Sequence, residues 1–559
     1  MFEELRAIQR QFGYLPAEQL KALSGKIKTP LSQIHAVASF YPHFHLVPPP
    51  KVDLRVCTDM SCHLCGADQV RSALEDQFRG ADPQEISIRE VSCLGRCDQA
   101  PALMVNDNIY SEVDGRSAIT MARDVLAGRP LPAEEGKHER KPAACDPYNG
   151  TGQYAVVRRF VEKRDGQEII ATLKQAQLRG MGGAGFPTGL KWEIVHNAPG
   201  ATKYIVCNAD ESEPGTIKDR HIMENLPYLV IEGMIVAGLV TGAHQGILYV
   251  RHEYEKSKDI LQVELDRCYR NGILGPRLMG SDLTFDLKIF VSPGGYICGE
   301  ESALLEAIEG HRAEPRNKPP FPGQPGGGLW GQPTVINNVE TFSLATVILA
   351  RGVEWYTAQG KNKSVGVKFV GISGDVVRPG VFEVPMGITY NELIYDYAGG
   401  IPNGKKMLGY APSGPSSGYL PASMGDLPLD WNAVAAAGSM VGSGAIVVCA
   451  EGRCLLDMAL DAPRFYRNES CGKCVPCRMG SQKMVEMLKG WTEGRSAKND
   501  MQVLDELSTA MRLASICGLG QVVPVPIASI LKHFPEVVDD HLVRRRCPGG
   551  VCFTPAGLQ

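Results

Sequence analysis

Apolar and polar positions in the first 45 residues recur at helical spacing. One amphipathic stretch ends near Pro16, and Thr29-Pro30 gives an N-cap and first-turn signal for another, PLSQIHAVASF. Beyond the break VPPPK the period shortens. VDLRVC and EISIREV read as strands, GADQVRSALEDQF as the helix between them, and ALMVND-NIYSEV as a hairpin turning on Asn/Asp. Residues 1–128 thus predict a helical N-terminus followed by a small α/β unit. Residues 129–152 are rich in Pro, Gly and charge without periodicity, and read as a linker. From 153 to 352, helical patterns alternate with three short apolar runs, KYIVCNA, QGILYVR and DLKIFVS, which predicts a larger α/β domain. Residues 353–452 carry short strands (VKFVGISG, GVFEV, GAIVVCA) between Gly/Pro turns, a small β-rich domain. Residues 453–545 are helical in pattern, as in SQKMVEMLKGW and DMQVLDELSTAMRLAS, and 546–559 form a tail.

Composition narrows the functional classes. The chain of 559 residues balances 58 Lys+Arg against 62 Asp+Glu, a net charge of -4. Without a basic block it lacks an electrostatic footprint for nucleic acid or an anionic membrane. The opening MFEELRAIQRQF mixes charges through its apolar positions, unlike an export signal, and the uncharged run from Trp431 to Ala450 is broken by glycines and serines. A cytoplasmic location is the expectation. The 17 cysteines change the picture most. Their number is odd and no export signal accompanies them, so metal binding is a better reading than a disulfide framework.

Two cysteine groups have ligand spacing. Cys471-x2-Cys474-x2-Cys477, closed by the distant Cys517, suits a 4Fe–4S cluster; a four-cysteine zinc site more often uses two separated pairs. Cys57-x4-Cys62 and Cys93-x3-Cys97 each follow a predicted strand, so two loops can bring four thiolates to one 2Fe–2S cluster. Cys65 is an alternative to Cys62, and zinc or a lost cluster remains open for this group. Cys207, Cys268 and Cys298 read as small buried hydrophobes. Cys547 and Cys552, in RRCPGGVC, remain open.

The run GMGGAGFPTG holds a literal Gly-x-Gly-x-x-Gly at Gly180, Gly182 and Gly185. The dinucleotide fingerprint requires a strand before it, whereas QEIIATLKQAQL has helical spacing. The loop can still offer backbone N–H groups to a phosphate, with Lys191 as a nearby cation. Three polar, partly glycine-rich segments stand out: NADESEPGTIKDR at 208–220, GGYICGEESALLEAIEG at 294–310 and PTVINNVETF at 333–342. Acids such as Asp210, Glu211, Glu213, Glu300 and Glu301 follow buried-strand runs, which places some of them at strand C-terminal ends, where α/β folds bind ligands.

Together, RGMGGAGFPTGLKW, NADESEPGT, GYICGEES, PTVINNVET and CGKCVPCR closely resemble the flavin- and NADH-binding subunit of respiratory complex I. The same module occurs in NAD-reducing hydrogenases and in NAD-dependent molybdenum or tungsten formate dehydrogenases. The N-terminal part, from GYLP through SFYPHF to CLGRC and DQAPAL, resembles the family's thioredoxin-like 2Fe–2S subunit, here joined to the first in one chain. The resemblance implies a thioredoxin-like domain, a Rossmann-like FMN/NADH-binding α/β domain, a ubiquitin-like β-grasp domain and a C-terminal helical bundle. It implies FMN against Gly182, Gly183 and Lys191, with Gly185 also at the cofactors, Asn208, Asp210 and Glu211 at the FMN ring or ribityl chain and Asn337, Asn338 and Thr341 on its phosphate side. Tyr296, Gly299, Glu300 and Glu301 would line the flavin/nicotinamide cleft, and Phe186 and Phe321 would sandwich adenine, with Lys318 and Glu213 close to the dinucleotide. Glu211 and Glu301 are placed at the reacting centre. A carboxylate at Glu301 near the adenosine ribose would repel a 2′-phosphate and favour NAD(H). Two departures bear on nucleotide affinity: Met181 where complex I members generally carry Arg, and Ile194 where an aromatic often completes the adenine sandwich.

Electron counting gives the expected mechanism. Nicotinamide exchanges a hydride and an iron–sulfur cluster takes one electron, so the flavin must mediate. The 4Fe–4S cluster is expected to be the direct partner of FMN, with the 2Fe–2S cluster on a side branch or second exit. No pterin, tungsten or nickel site is recognisable, so the primary substrate is expected to react in a partner subunit. The first reading is the β subunit of an NAD-dependent formate dehydrogenase, partnered by a molybdenum or tungsten α subunit. A hydrogenase or other NADH-coupled complex is the alternative, and a zinc-stabilised interaction module the alternative of a different class.

Overall fold

The computed structural model describes residues 1–132 and 140–553; parts of the expected linker (133–139) and tail (554–559) lie outside the described residues. Three helices, Phe2–Phe12, Ala17–Ile27 and Leu31–Phe40, open the chain. Their apolar residues lie outside the core beneath the four-stranded sheet that follows. Phe2, Leu5, Ile34 and Tyr41 join one apolar core with Tyr249, Ile297 and Leu456, far along the chain. Two hydrogen bonds fasten the contact, Arg6 Nη2 to the carbonyl of Val291 at 2.6 Å and Tyr41 Oη to that of His311 at 2.6 Å.

The next unit is a four-stranded sheet built from β1 (Val52–Cys57), β2 (Ile86–Val91), β3 (Leu103–Val105) and β4 (Asn108–Tyr110). Its order is β2-β1-β3-β4, with β1 and β2 parallel and the β3–β4 hairpin antiparallel. Helices Ala67–Gln77 and Gly115–Leu126 supply apolar faces for its core. The second helix is opened by a capping box between Asp114 and Ser117.

The central sheet is parallel throughout: β5 (Tyr204–Ala209), β6 (Gln245–Val250), β7 (Asp286–Val291) and β8 (Thr334–Asn338), in the order β7-β6-β5-β8. The direction of winding reverses between β5 and β8, and ligands of such sheets bind at the strand C-termini beside that point. β8 is the strand that the polar run PTVINNVETF conceals. Helix Pro227–Thr241 is buried along nearly its whole length. It crosses helix Val339–Arg351 so closely that a Cβ on Gly233 would stand 2.2 Å from the carbonyl oxygen of Phe342. Within the segment expected as a linker, Cys145 and Tyr148 are buried in this domain's core, and Arg351 holds the carbonyls of Ala144 and Asp146.

A five-stranded sheet follows, from β9 (Val367–Gly374), β10 (Gly380–Pro385), β11 (Met407–Pro415), β12 (Leu420–Pro421) and β13 (Ala445–Ala450). Its order is β10-β9-β13-β11-β12, with only β9 and β13 parallel. The chain then turns helical, through Leu455–Asn468, Val475–Thr492, Asp500–Ala514, Gly518–Val522, Val525–His533 and Pro535–Leu542. Among the described residues no single helix is long and apolar enough to cross a membrane.

Candidate active site and metal centres

The glycine-rich loop is a closed turn between helices Gly166–Gln175 and Thr188–Asn197, pinned at its neck by Gly180 N–H to the carbonyl of Phe186 at 2.8 Å. As the sequence pattern requires, no strand precedes it. Its glycines have different duties. A Cβ on Gly182 would meet that of Asn338 at 2.9 Å, so the loop lies directly on the end of β8. Gly183 has φ +132° and open space where a side chain would project, and Gly185, at φ +64°, rests against the Trp431 ring. Thr341, expected on the phosphate side, accepts the Met181 N–H at 2.9 Å and so anchors the loop to the first turn of helix Val339–Arg351.

Two adjoining cavities, of about 590 and 390 Å3, open where this loop meets the ends of β5 and β8. Every cofactor-contact residue expected from the sequence lines one or the other, and Gly182, Asn208, Gly299, Glu300 and Asn338 line both. In the larger one, Phe186 and Phe321 are half-exposed rings on the rim, with Ile194 beside them. Lys191 Nζ donates to the carbonyl of Ile336 at 2.9 Å and forms no ion pair among the described residues. Burial pushes its pKa down. A recessed ammonium without a carboxylate partner, beside the N-terminus of a 13-residue helix capped by Asn338, fits an anionic phosphate.

The carboxylates are not equivalent. Both oxygens of Glu211 are engaged, one with the Asp219 N–H at 2.8 Å, the other with Arg220 N–H and Tyr254 Oη at 3.0 and 2.9 Å. It therefore fixes the start of helix Lys218–Asn225, and burial raises its pKa to about 8. Glu300 caps helix Glu301–Ile308 with one oxygen and meets Lys318 with the other. Glu301 also pairs with Lys318, at 2.7 Å. Asp210 accepts from Ser212 and Ser292, and burial lifts its pKa to about 6. Glu213 faces the smaller cavity with one contact from Ser416 N–H at 3.3 Å, and burial lifts its pKa to about 7.

Beneath the loop lies a buried charge network that the sequence pattern does not announce. Lys218 meets Asp219 and Glu340 at 2.7 and 2.9 Å, and Lys368 of β9 meets Glu340 at 3.1 Å. All four groups are buried, and the charges balance. Lys368 Nζ also lies 3.5 Å from the Met181 carbonyl. A lysine from the β-grasp sheet thus stands near the position where the resemblance had suggested a missing cation.

The structure brings Cys57, Cys62, Cys93 and Cys97 together in a buried group, while Cys65 is exposed. Cys93 and Cys97 Sγ are 3.4 Å apart, and Gly215 N–H reaches Cys97 Sγ at 3.2 Å from the loop that carries Glu211 and Glu213. Two arginines clamp this group to the central domain. Arg220 pairs with Asp98 at 2.7 Å and donates to the Gly95 carbonyl, and Arg251 bridges the carbonyls of Glu211 and Cys93. Cys471, Cys474, Cys477 and Cys517 line a single small cavity. Cys474 stands at the N-cap of the 18-residue helix Val475–Thr492. Ile297 and Leu519 line both this cavity and the smaller of the two at the β5/β8 ends, so one layer of side chains divides them. The donor sets fit the two iron–sulfur clusters. Sequence reasoning missed Arg220, Arg251, Lys218, Lys368 and Trp431, because each acts through at least one partner remote in the chain.

Fold and site together define a flavin- and iron–sulfur-dependent, NAD(H)-linked oxidoreductase subunit. Residues 173–346 match the Nuo51 FMN-binding domain, 1–125 the thioredoxin-like 2Fe-2S ferredoxin, 457–541 the NADH-ubiquinone oxidoreductase-F iron–sulfur binding region, and 369–419 the SLBB domain. The chain is 33% identical to the alpha subunit of the NAD-reducing hydrogenase HoxS of Cupriavidus necator, across 97% of this chain and 92% of that one. It is 40% identical to an F-type component of the NADH-quinone oxidoreductase of Rhizobium meliloti, over 72% of its length and 95% of the relative's. A crystal structure of an NAD+-reducing NiFe-hydrogenase in the H2-reduced state superposes with a TM-score of 0.86 at 31% identity, covering 96% of this chain and 93% of that one. The chain belongs to the family of FMN- and NADH-binding iron–sulfur subunits shared by these enzymes, and carries its FMN, 2Fe–2S and 4Fe–4S binding domains.

Proposed function

We propose that this chain is the NAD+-reducing diaphorase subunit of a heteromeric complex whose partner subunit oxidises formate. The observation that carries the diaphorase reading is the pair of adjoining cavities at the β5/β8 switch point, with a cysteine set beside them. When bound, FMN exchanges a hydride with nicotinamide and single electrons with the clusters. The chain's own residues bind and orient. The N–H groups of the Gly182–Gly185 turn and Lys191 hold phosphate, while Asn208 and Asn338 fix the floor between the two cavities. Phe186 and Phe321 grip the adenine end, and Glu301 with Lys318 meets the ribose, which favours NAD(H). Glu211 serves by holding the Asp219–Arg220 turn in place and not as a proton carrier. The four domains, 1–128, 153–352, 353–452 and 453–545, divide these duties.

Dihydrogen is the second reading for the partner's substrate, supported by the end-to-end similarity to a component of an NAD-reducing hydrogenase. The test is to isolate the chain with its native partners and assay NAD+ reduction with formate and with dihydrogen. Formate-dependent reduction with a molybdenum- or tungsten-bearing partner supports the first reading. Dihydrogen-dependent reduction replaces it with the second, and activity with neither, despite NADH oxidation by an artificial acceptor, overturns both.

A further inference from the structure

Cys547 and Cys552 have a place in the structure that neither cluster uses. Their thiols gather with Cys454 and His541, and all four donor atoms lie within 4.8 Å of one another. Cys454 Sγ is 3.4 Å from His541 Nε2 and 3.7 Å from Cys552 Sγ. Zinc with Zn–S bonds of about 2.3 Å and a Zn–N bond of about 2.0 Å sets the edges of its tetrahedron at about 3.8 Å between sulfurs and about 3.5 Å from sulfur to nitrogen. Both distances match. An iron–sulfur cluster spaces its ligand sulfurs around a core of several atoms, so this group is too tight for a third cluster.

Three further observations show a built site. His541 Nδ1 sits 2.7 Å from the carbonyl of Val537. That contact places the ring proton on Nδ1 and leaves the Nε2 lone pair facing the three thiols, the usual outer hydrogen bond of a metal-ligating histidine. The CPGGVC segment forms a knuckle. Gly550, at φ +68°, donates its N–H to the Cys547 carbonyl at 3.1 Å, and a Cβ on Gly549 would fall 2.8 Å from the backbone nitrogen of Cys454. The group is also roofed. Cys454 and His541 are buried, and the Phe553 ring lies 5.3 Å from the imidazole.

We propose that Cys454, His541, Cys547 and Cys552 bind one zinc ion. It fastens the C-terminal segment to two structural pieces, helix Leu455–Asn468 through Cys454 and helix Pro535–Leu542 through His541. Binding displaces three protons from the four donors to solvent, and the resulting three thiolates and neutral imidazole leave one net negative charge around Zn2+. Zinc has no redox chemistry, and the ion is a staple outside the electron path.

The test uses the full chain with its clusters in place. Elemental analysis should find about one zinc per chain beside the iron. X-ray absorption at the zinc edge should give three sulfurs at about 2.3 Å and one nitrogen at about 2.0 Å. His541→Ala should lower zinc roughly tenfold, whereas His541→Cys should retain it, both with unchanged iron content and NADH-dependent flavin reduction. Should His541→Ala fail to fold, the absorption spectrum of the unaltered chain decides. Less than about a tenth of an equivalent of zinc after growth with added zinc, a shell of light atoms only, or a Cys454–Cys552 disulfide in the intact mass would each overturn the proposal.

Discussion

The two cysteine sets assigned to iron differ in everything except their ligand. The N-terminal set is enclosed: all four thiols are buried, on two loops pressed against the central domain. The C-terminal set is at an edge: Cys471, Cys474 and Cys517 are partly exposed, and only Cys477 is buried. The first is held from outside its own domain, by Arg220, Arg251 and the Gly215 N–H. The second is held within its own domain, by a helix N-terminus and the Ser470 hydroxyl, 3.2 Å from Cys477 Sγ. A buried site clamped by a neighbour couples cluster and domain docking. A self-contained site can be emptied without disturbing the rest.

The largest effect should come from Cys474→Ala. It lies on the set divided from the smaller cavity, proposed to hold flavin, by Ile297 and Leu519, so electron transfer from NADH to downstream acceptors should fall by about two orders of magnitude or more, or ~3 kcal/mol of barrier. NADH reduction of the flavin should stay within about twofold, since no coenzyme contact is lost. Stopped-flow absorbance separates the two steps. Persistence of downstream transfer would mean that electrons leave through the N-terminal set.

Arg220→Ala tests the clamp. It leaves Asp98 facing a partly dry interface and removes the 2.8 Å donor to the Gly95 carbonyl beside the thiols. A buried pair broken on one side costs about 3–5 kcal/mol. Asp98 is 19% exposed, so about 2 kcal/mol is expected here. Denaturant titration followed by iron–sulfur absorbance should show the N-terminal cluster lost first in the variant, with the other unmoved. Loss of both together would show that the two regions unfold as one.

Glu213 connects the comparison to the coenzyme. Its carboxyl, lifted from the ordinary 4.5 to about 7 by burial, is neutral below that pH and charged above it. On the proposed reading, charging it places an anion close to the anionic dinucleotide. KM for NADH should therefore rise from pH 6 to pH 8, by about threefold at this screening, and Glu213→Gln should hold the low-pH value throughout. Stability should move the same way: a carboxyl whose folded pKa exceeds its unfolded one loses stability as pH rises from about 4.5 to about 7, and the glutamine variant should lack that slope. A KM that stays flat in the unaltered chain would remove Glu213 from the coenzyme's path.

How much of this could be read from the chain depended on distance in sequence. Three central strands were legible because KYIVCNA, QGILYVR and DLKIFVS are short apolar runs. β8 was hidden because its last two residues, Asn337 and Asn338, are polar: Asn337 accepts from the Trp192 indole at 2.9 Å, and Asn338 caps the next helix. The cysteine spacings were legible locally, since three thiolates two residues apart describe most of a site by themselves. The clamp was not: Arg220 and Asp98 are 122 residues apart, and no local pattern announces a cation that serves another domain. The same holds for Lys368 beneath the glycine loop, and for Cys454, separated by 87 residues from His541. Cys547 and Cys552 formed a visible pair without a visible purpose, because half the ligand set lay elsewhere.

The smallest expected effect belongs to Cys65, the spare thiol of the enclosed set. Spacing alone left it interchangeable with Cys62, three residues earlier. The structure separates them: Cys62 is 2% exposed and turned into the group, whereas Cys65 is exposed at the end of the short helix Met60–Leu64. Cys65→Ala should leave 2Fe–2S content, its electron paramagnetic resonance signal and all rates within experimental error, while Cys62→Ala empties the site. If instead Cys65→Ala bleaches the cluster, the short helix must turn by most of a turn when iron binds. The enclosed site would then be assembled by the metal, and its rigidity would be a consequence of the cluster and not of the clamp.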